Sequence, residues 1–173
     1  MPQITLDELG RPTAEYVRRV LAYDRETGAF SWRQSPLARW IGKPAGAVQG
    51  NGYLRVNVAG KCYAAHRLAW LYETGDWPPA GDVDHINGSR ADNRFINLRL
   101  ATRSQNSANA RRRSDNRSGY KGVSYSARRR EWEAYVGAGG KKRHLGWFKS
   151  PEPAHAAYVE EAERLYGAFA RAG

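Results

Sequence analysis

Asp84 and His85 stand side by side, with Asn97 twelve and Asn106 twenty-one residues beyond the histidine. Their types could together hydrolyse a phosphodiester. That reaction takes an activated water, a cation to neutralise charge at the phosphate and leaving oxygen, and a group that holds the base in one tautomer. His85 suits the base, because imidazole titrates near neutral pH. Asp84, pointing the other way in an extended segment, offers a hard oxygen to a divalent cation. Asn106 could supply a second, neutral oxygen, and Asn97 could bond a group that orients His85. The competing account is local: Asn and Asp populate turns because their short side chains bond nearby backbone and tolerate left-handed conformations. An Asp-His dipeptide alone does not decide between the two.

The elements that would position these residues can be read from periodicity. TAEYVRRVLAY, residues 13–23, places Tyr16, Val17, Val20 and Leu21 at helical spacing behind Thr13 as cap. FSWR at 30–33 reads as a strand, and NGYLRVNVAGKCYAAH at 51–66 as a hairpin turning at Ala59-Gly60. HRLAWLYETG predicts a helix stopped by Gly75, followed by an irregular Trp77-Pro78-Pro79 segment. Strands at 83–85 and 98–102 bracket a long polar loop, and Thr102 caps a helix over about 103–112 that carries Asn106. RRRSDNRSG at 111–119 has no apolar residue and reads as a linker. YKGVSYS, WEAYVGA and RHLGWFK then predict three short strands, and SPEPAHAAYVEEAERLYG a helix capped by Ser150.

Charge is unevenly placed along the 173 residues. Between Arg99 and Lys149 stand fourteen Lys and Arg against three Asp and Glu, so the whole net charge of +11 lies there. Interleaved Tyr120, Tyr125, Trp132, Tyr135 and Trp147 make that stretch an electrostatic footprint for nucleic acid, not a merely solvated face. The arginines do not follow an amphipathic helix, which disfavours a membrane surface. Cys62 is the only cysteine, excluding an intrachain disulfide or a cysteine-based zinc cluster. The first ten residues hold acids and no apolar segment, and no run is long enough to span a bilayer. A soluble, cytoplasmic protein is expected.

Taken together, AAHRLAW at 64–70 and DHINGSRADNRFINLRLATRSQNSAN at 84–109 resemble the HNH endonucleases, especially phage and intron-encoded homing enzymes, over roughly residues 50–110. The resemblance implies a ββα-metal fold with Asp84 and Asn106 as ligands of one divalent cation, Mg2+ or Mn2+. It implies His85 as general base, Asn97 as the residue aligning it, and His66 as a phosphate contact; Arg103, a cation placed unfavourably at the start of the helix carrying Asn106, points to a second phosphate contact. The family's third letter, often histidine, is here Asn106, a departure shared by a branch of homing enzymes that bears on metal preference more than on activity.

The segment from about 118 to 170 resembles the DNA-binding domain of plant ethylene-response factors, in which a three-stranded sheet backed by a helix enters the major groove. Lys121, Ser124, Ser126, Tyr135, Lys142 and His144 fall at the matching contact positions. Several of these are arginine or tryptophan in the plant proteins, so base specificity does not transfer. Arg111, Arg112 and Arg113 could follow the DNA backbone between the domains.

The expectation is therefore an α+β chain: residues 1–110 with a ββα-metal nuclease core at about 50–110, a basic linker at 111–118, and a three-stranded antiparallel sheet plus helix at 119–173. The implied partner is double-stranded DNA, with no membrane and no protein partner evident, and a monomer or weak dimer would nick one strand at a time. A catalytically silent DNA-binding regulator on the same scaffold is the rival from another class, and a structured-RNA binder fits the charge but not the metal ligands.

Overall fold

The computed structural model describes residues 3–35, 37–79 and 82–173. The chain is mixed α/β and divides into two units, Met1–Leu100 and Ala101–Gly173. No helix among the described residues is long and apolar enough to cross a membrane.

In the first unit, Thr13 caps α1 (Ala14–Val20), its side chain accepting from the Tyr16 amide, and Tyr16, Val17 and Val20 are buried. The 3.6-residue spacing predicts a longer helix, yet Leu21–Tyr23 is β1, paired antiparallel with β2 (Phe30–Trp32). Leucine and alanine favour helix locally, but strand pairing buries Leu21 completely and overrides that preference. A three-stranded sheet follows, made of β3 (Ala47–Val48), β4 (Leu54–Val58) and β5 (Lys61–Ala64) with β4 in the middle. Alternation along β4 turns Val56 and Val58 inward. Helix α2 (Ala65–Thr74) adds Leu68, Ala69 and Leu71 to the same core.

β6 (Asp82–His85) and β7 (Leu98–Ala101) form a two-stranded sheet, with a 3-10 turn at Phe95–Asn97 just before β7. The segment between them is fixed from outside. Tyr23, packed at a tilt against Phe30 and Tyr72, donates its hydroxyl to the carbonyl of Asn93 (2.7 Å). Gly28 lies against the same place: a Cβ on it would sit 2.4 Å from the Arg94 nitrogen and 2.6 Å from the Asn93 carbonyl carbon. Its φ of +72° also suits glycine. The β1–β2 turn is thereby pressed onto the backbone that follows His85.

In the second unit, α3 (Arg103–Asn109) begins with a reciprocal cap: Thr102 accepts from the Gln105 amide and Gln105 accepts from the Thr102 amide. It stops at Asn109, short of the expected 112, and the carbonyls of Ala108 and Ala110 are taken by the ammonium of Lys121. Strands β8 (Val123–Ser126), β9 (Glu131–Ala138) and β10 (Lys141–Phe148) form an antiparallel sheet with β9 central. Helix α4 (Pro151–Tyr166) covers one face, burying Ala154, Tyr158 and Ala162 against Val123, Ala134 and Val136. Gly122, at φ +74°, lets the chain pass under Tyr158, whose ring a Cβ there would meet at 2.1 Å.

Gly28→Ala and Gly122→Ala should each lower the free energy of unfolding by roughly 2–4 kcal/mol, combining left-handed strain with overpacking. Urea unfolding checks this; unchanged midpoints in both variants would contradict the close approaches.

Candidate active site

His85 ends β6 and is 4% exposed, as is Asp84. Its Nε2 lies 3.3 Å from Oδ1 of Asn93, itself only 1% exposed. The orientation of that amide follows from its other end: Asn93 Nδ2 donates to the carbonyl of Ala91 (3.1 Å), which can only accept, so Oδ1 is the atom turned to the histidine. A carbonyl oxygen requires a donor opposite it. Nε2 therefore carries the proton, and Nδ1 is the basic nitrogen. Burial lowers the His85 pKa below the ordinary 6.5, only partly offset by the Asn93 bond and by Asp84, so the ring is neutral at neutral pH. A neutral imidazole with one defined lone pair can take a proton.

Asn97, expected to align His85, bonds the loop beyond the histidine and not the ring itself. Its side chain accepts from the Asn87 amide (3.0 Å) and donates to Asn87 Oδ1 (3.1 Å) and to the Asp92 carbonyl (2.9 Å). Asn87 in turn donates to Asp92 Oδ2 (2.7 Å), and Arg94 forks onto both oxygens of Asp92. Those hydrogen bonds hold the Asp92 carboxyl down at about 2, Arg94 contributing most. Asn87, Asp92 and Asn97 thus lock the loop, and Asn93 projects from it to the histidine. By composition Asn93 is another turn former; its partner and burial come from the fold.

Asp84 pairs with Arg99 on β7, Nε to Oδ2 at 3.0 Å, with both side chains largely buried. Among the described residues no group of three or more His, Cys, Asp or Glu could hold a metal ion. A single carboxylate with amide oxygens suits a hard cation that keeps water or phosphate oxygens at its other positions, not a zinc site of nitrogen and sulfur ligands.

His66, in the first turn of α2, meets the His85 ring edge to face, with centroids 5.0 Å apart, and Tyr53 lies beside both rings. Burial, followed by the neighbouring His85 and Arg67, pushes His66 down to about 3, and its Nδ1 is buried without a hydrogen-bond partner. The expected phosphate contact therefore offers no positive charge; it can at most donate an N–H. Arg90, whose guanidinium stands 5.0 Å over the Tyr53 ring while donating to the Asn51 carbonyl (2.8 Å), is an exposed cation of this neighbourhood. Sequence reasoning missed Tyr53, Asn93 and Arg90 as a group, because their convergence is tertiary.

In the second unit, Asn106 is half-buried on α3 and Arg103 is exposed at its start. Arg111, Arg112 and Arg113 are exposed, with Arg113 paired to Asp115. Lys121, expected to touch DNA, donates to the carbonyl of Arg171 (3.1 Å) as well as to those of Ala108 and Ala110, and burial pushes its ammonium down to about 8. It fastens the end of α3 to the C-terminal segment. Of the other expected contacts, Ser124, Tyr135, Lys142 and His144 share the sheet face opposite α4, where Glu133 Oε2 accepts from Lys142 (3.0 Å) and Oε1 from His144 Nδ1 (3.2 Å). Ser126 is half-buried at the end of β8, on the same alternation as Ser124. His155 Nδ1 donates to the Lys121 carbonyl (3.1 Å), and its ring stacks on Tyr158.

A family model described as HNH endonuclease matches residues 63–108, from β5 to α3. Protein 3.8 of Escherichia phage T7 is 35% identical over 108 residues, covering 61% of this chain and 87% of that protein. A solved structure described as DNA binding and cleavage by the HNH homing endonuclease I-HmuI is similar at 22% identity with a TM-score of 0.40. That match covers 51% of this chain and 50% of the other, so this chain spans about half its length.

Two measurements test the geometry. His66 is neutral in the folded state down to about 3 but titrates near 6.5 when unfolded, so its contribution to stability is complete above 6.5 and is lost as pH falls towards 3. Unfolding free energies between pH 6 and 4 should fall less steeply in His66→Gln than in the parent, by about 1.4 kcal/mol per pH unit at most; equal slopes would contradict the burial. Lys121→Met should cost on the order of 2–3 kcal/mol of stability, because it leaves three carbonyls without their charged donor. If Lys121→Met instead unfolds like the parent and only weakens DNA binding, the surface-contact assignment returns.

Proposed function

Because the chain belongs to the HNH endonuclease family, we propose that it is a divalent-metal-dependent DNA endonuclease that hydrolyses one phosphodiester per encounter. The carrying observation is His85: buried, neutral, and with its proton held on Nε2 by the Asn93 carbonyl oxygen, which leaves Nδ1 as its basic nitrogen. His85 takes the proton of the water attacking phosphorus, and Asn93 stabilises the imidazolium that results, since its carbonyl oxygen already accepts from Nε2. Asp84 holds the cation, and Asn106 keeps the ligand role that the resemblance implies. The cation, when bound, neutralises charge on the phosphate and on the leaving 3′ oxygen. The products are a 3′-hydroxyl and a 5′-phosphate.

The second unit docks the DNA as the ethylene-response-factor-like module, through the sheet face of Ser124, Ser126, Tyr135, Lys142 and His144 and through the linker arginines Arg111, Arg112 and Arg113. Support comes from the concentration of positive charge between Arg99 and Lys149 and from exposed cations alternating with aromatic rings. Each phosphate neutralised releases counterions, so affinity falls steeply with salt. One base and one carboxylate per chain act on one strand, so a monomer nicks.

Supercoiled plasmid incubated with the full chain and Mg2+ or Mn2+ should be converted to open circles, and chelator or His85→Ala should abolish the conversion. Asn93→Ala should slow nicking by about 10- to 100-fold while leaving affinity for the duplex intact. Equal nicking by His85→Ala overturns the mechanism; duplex binding with no metal-dependent nicking by the parent would make the chain a catalytically silent DNA-binding protein.

A further inference from the structure

The sheet of the second unit turns one face to α4 and the other to solvent. Register sets the outward row: Ser124 of β8 faces Glu133 of β9, which faces Trp147 of β10, while Tyr135 faces His144 and Gly137 faces Lys142. Glu133 is the carboxylate in the middle of this row, on the central strand. Three side chains from the two flanking strands converge on it: Lys142 Nζ (3.0 Å), His144 Nδ1 (3.2 Å) and Ser124 Oγ (3.5 Å). Burial works against its ionisation, but the hydrogen bonds from Lys142 and His144 outweigh it and bring its pKa below the ordinary carboxylate value. About 22% of its side chain stays accessible. The Lys142 ammonium is also seated 3.8 Å over the Tyr135 ring, and His144 packs on Trp147 with centroids 5.2 Å apart. The carboxylate is therefore fixed in direction, between aromatic walls, at the centre of a face that must meet a polyanion.

A carboxylate there repels phosphates and can only accept hydrogen bonds. In the major groove the donors are the exocyclic amines, N4 of cytosine and N6 of adenine; guanine and thymine present acceptors. Opposite those, Glu133 would set its oxygens against acceptors and find no donor on the base. Acidic side chains match cytosine, which places no acceptor beside its amine, whereas adenine sets N7 next to N6.

We propose that Glu133 is the specificity-determining residue of this face, accepting a hydrogen bond from the N4 amine of a cytosine in the major groove; the inference rests on the second unit being the DNA-docking module. Lys142 and His144 then act as positioning residues for the carboxylate, and their charge is spent on it before any phosphate is met. A purely structural role for Glu133, neutralising its two neighbours, has a different signature: removing it would raise affinity for every duplex alike.

The full chain in chelator, which blocks hydrolysis, is used to select duplexes from a randomised library, and the selected sequences are compared among the parent, Glu133→Gln and Glu133→Ala. The parent should require cytosine at one position, discriminating roughly 5- to 100-fold against other bases. Glu133→Gln should shift that position towards adenine, since a carboxamide pairs with N6 and N7 together. Glu133→Ala should lose the preference there and nowhere else. If all three proteins select the same sequence, or the variants only bind every duplex more tightly, the inference falls while the docking module stands. If the parent binds no duplex at low salt, both fall.

Discussion

A buried histidine can act as a base only if its ring is neutral and its proton is confined to one nitrogen, and the contact of His85 with Asn93 supplies the second condition while burial supplies the first. Much of the first unit bears on that contact. The amide is oriented by the Ala91 carbonyl, the backbone of Asn93 is held by Tyr23, and the loop is closed by Asn87, Asp92 and Asn97 bonding one another. Hydrogen bonds of this kind each contribute little net stability in water-exposed settings, but leaving one unmade in a buried site costs more than making it gains. The loop is thus determined as a set. A change at Gly28, remote in sequence, acts on the same atoms because its missing side chain is what allows the β1–β2 turn to touch Asn93 and Arg94.

Polar burial on this scale has to be carried by an apolar core elsewhere. Asp84, His85, His66, Asn93 and Asn97 are all buried within one small unit, and burying such groups is unfavourable unless each finds a partner. The offset comes from α1, α2 and β4, whose Val17, Leu68, Leu71, Val56 and Val58 are almost wholly removed from water. The Asp84–Arg99 pair adds little stability of its own, since the cost of desolvating both ions consumes most of their attraction. Its consequence is positional: the carboxylate is held on β6 by an arginine of the adjacent β7.

What the sequence made legible is what is settled locally. Thr102 with Gln105 announces the start of α3, alternation announces β4 and β9, and Pro151 behind Ser150 announces α4. The candidate base and carboxylate were legible because their chemistry is carried by residue type. What the sequence left illegible is nonlocal. Leu21–Tyr23 has helical residues and becomes a strand because Phe30–Trp32 is there to pair with it. Asn93 and Asn87 have the same side chain in the same loop, and only packing by Tyr23 and Gly28 sends the first inward to His85. Lys121 belongs by charge to the basic stretch, yet the carbonyls at the end of α3 and at Arg171 draw it inside.

Lys121 also bears on how the surplus charge should be counted. A net charge acts at long range whether or not its members are paired, so the basic stretch can steer a polyanion as a whole. Counterion release depends instead on how many cations reach phosphates. Arg99, Arg113, Lys121, Lys142, Arg143 and Lys149 are engaged with Asp84, Asp115, backbone carbonyls, Glu133, Glu161 and Glu131. Arg111, Arg112, Arg117, Arg128, Arg129, Arg130 and Lys141 stand exposed on the linker and on the turns between strands. The exposed cations without a carboxylate partner among these therefore lie on the linker and at the ends of the strands, at the periphery of the sheet. Its middle, around Glu133, Tyr135 and Trp147, instead carries charges already balanced against one another, Lys142 and His144 on the Glu133 carboxylate.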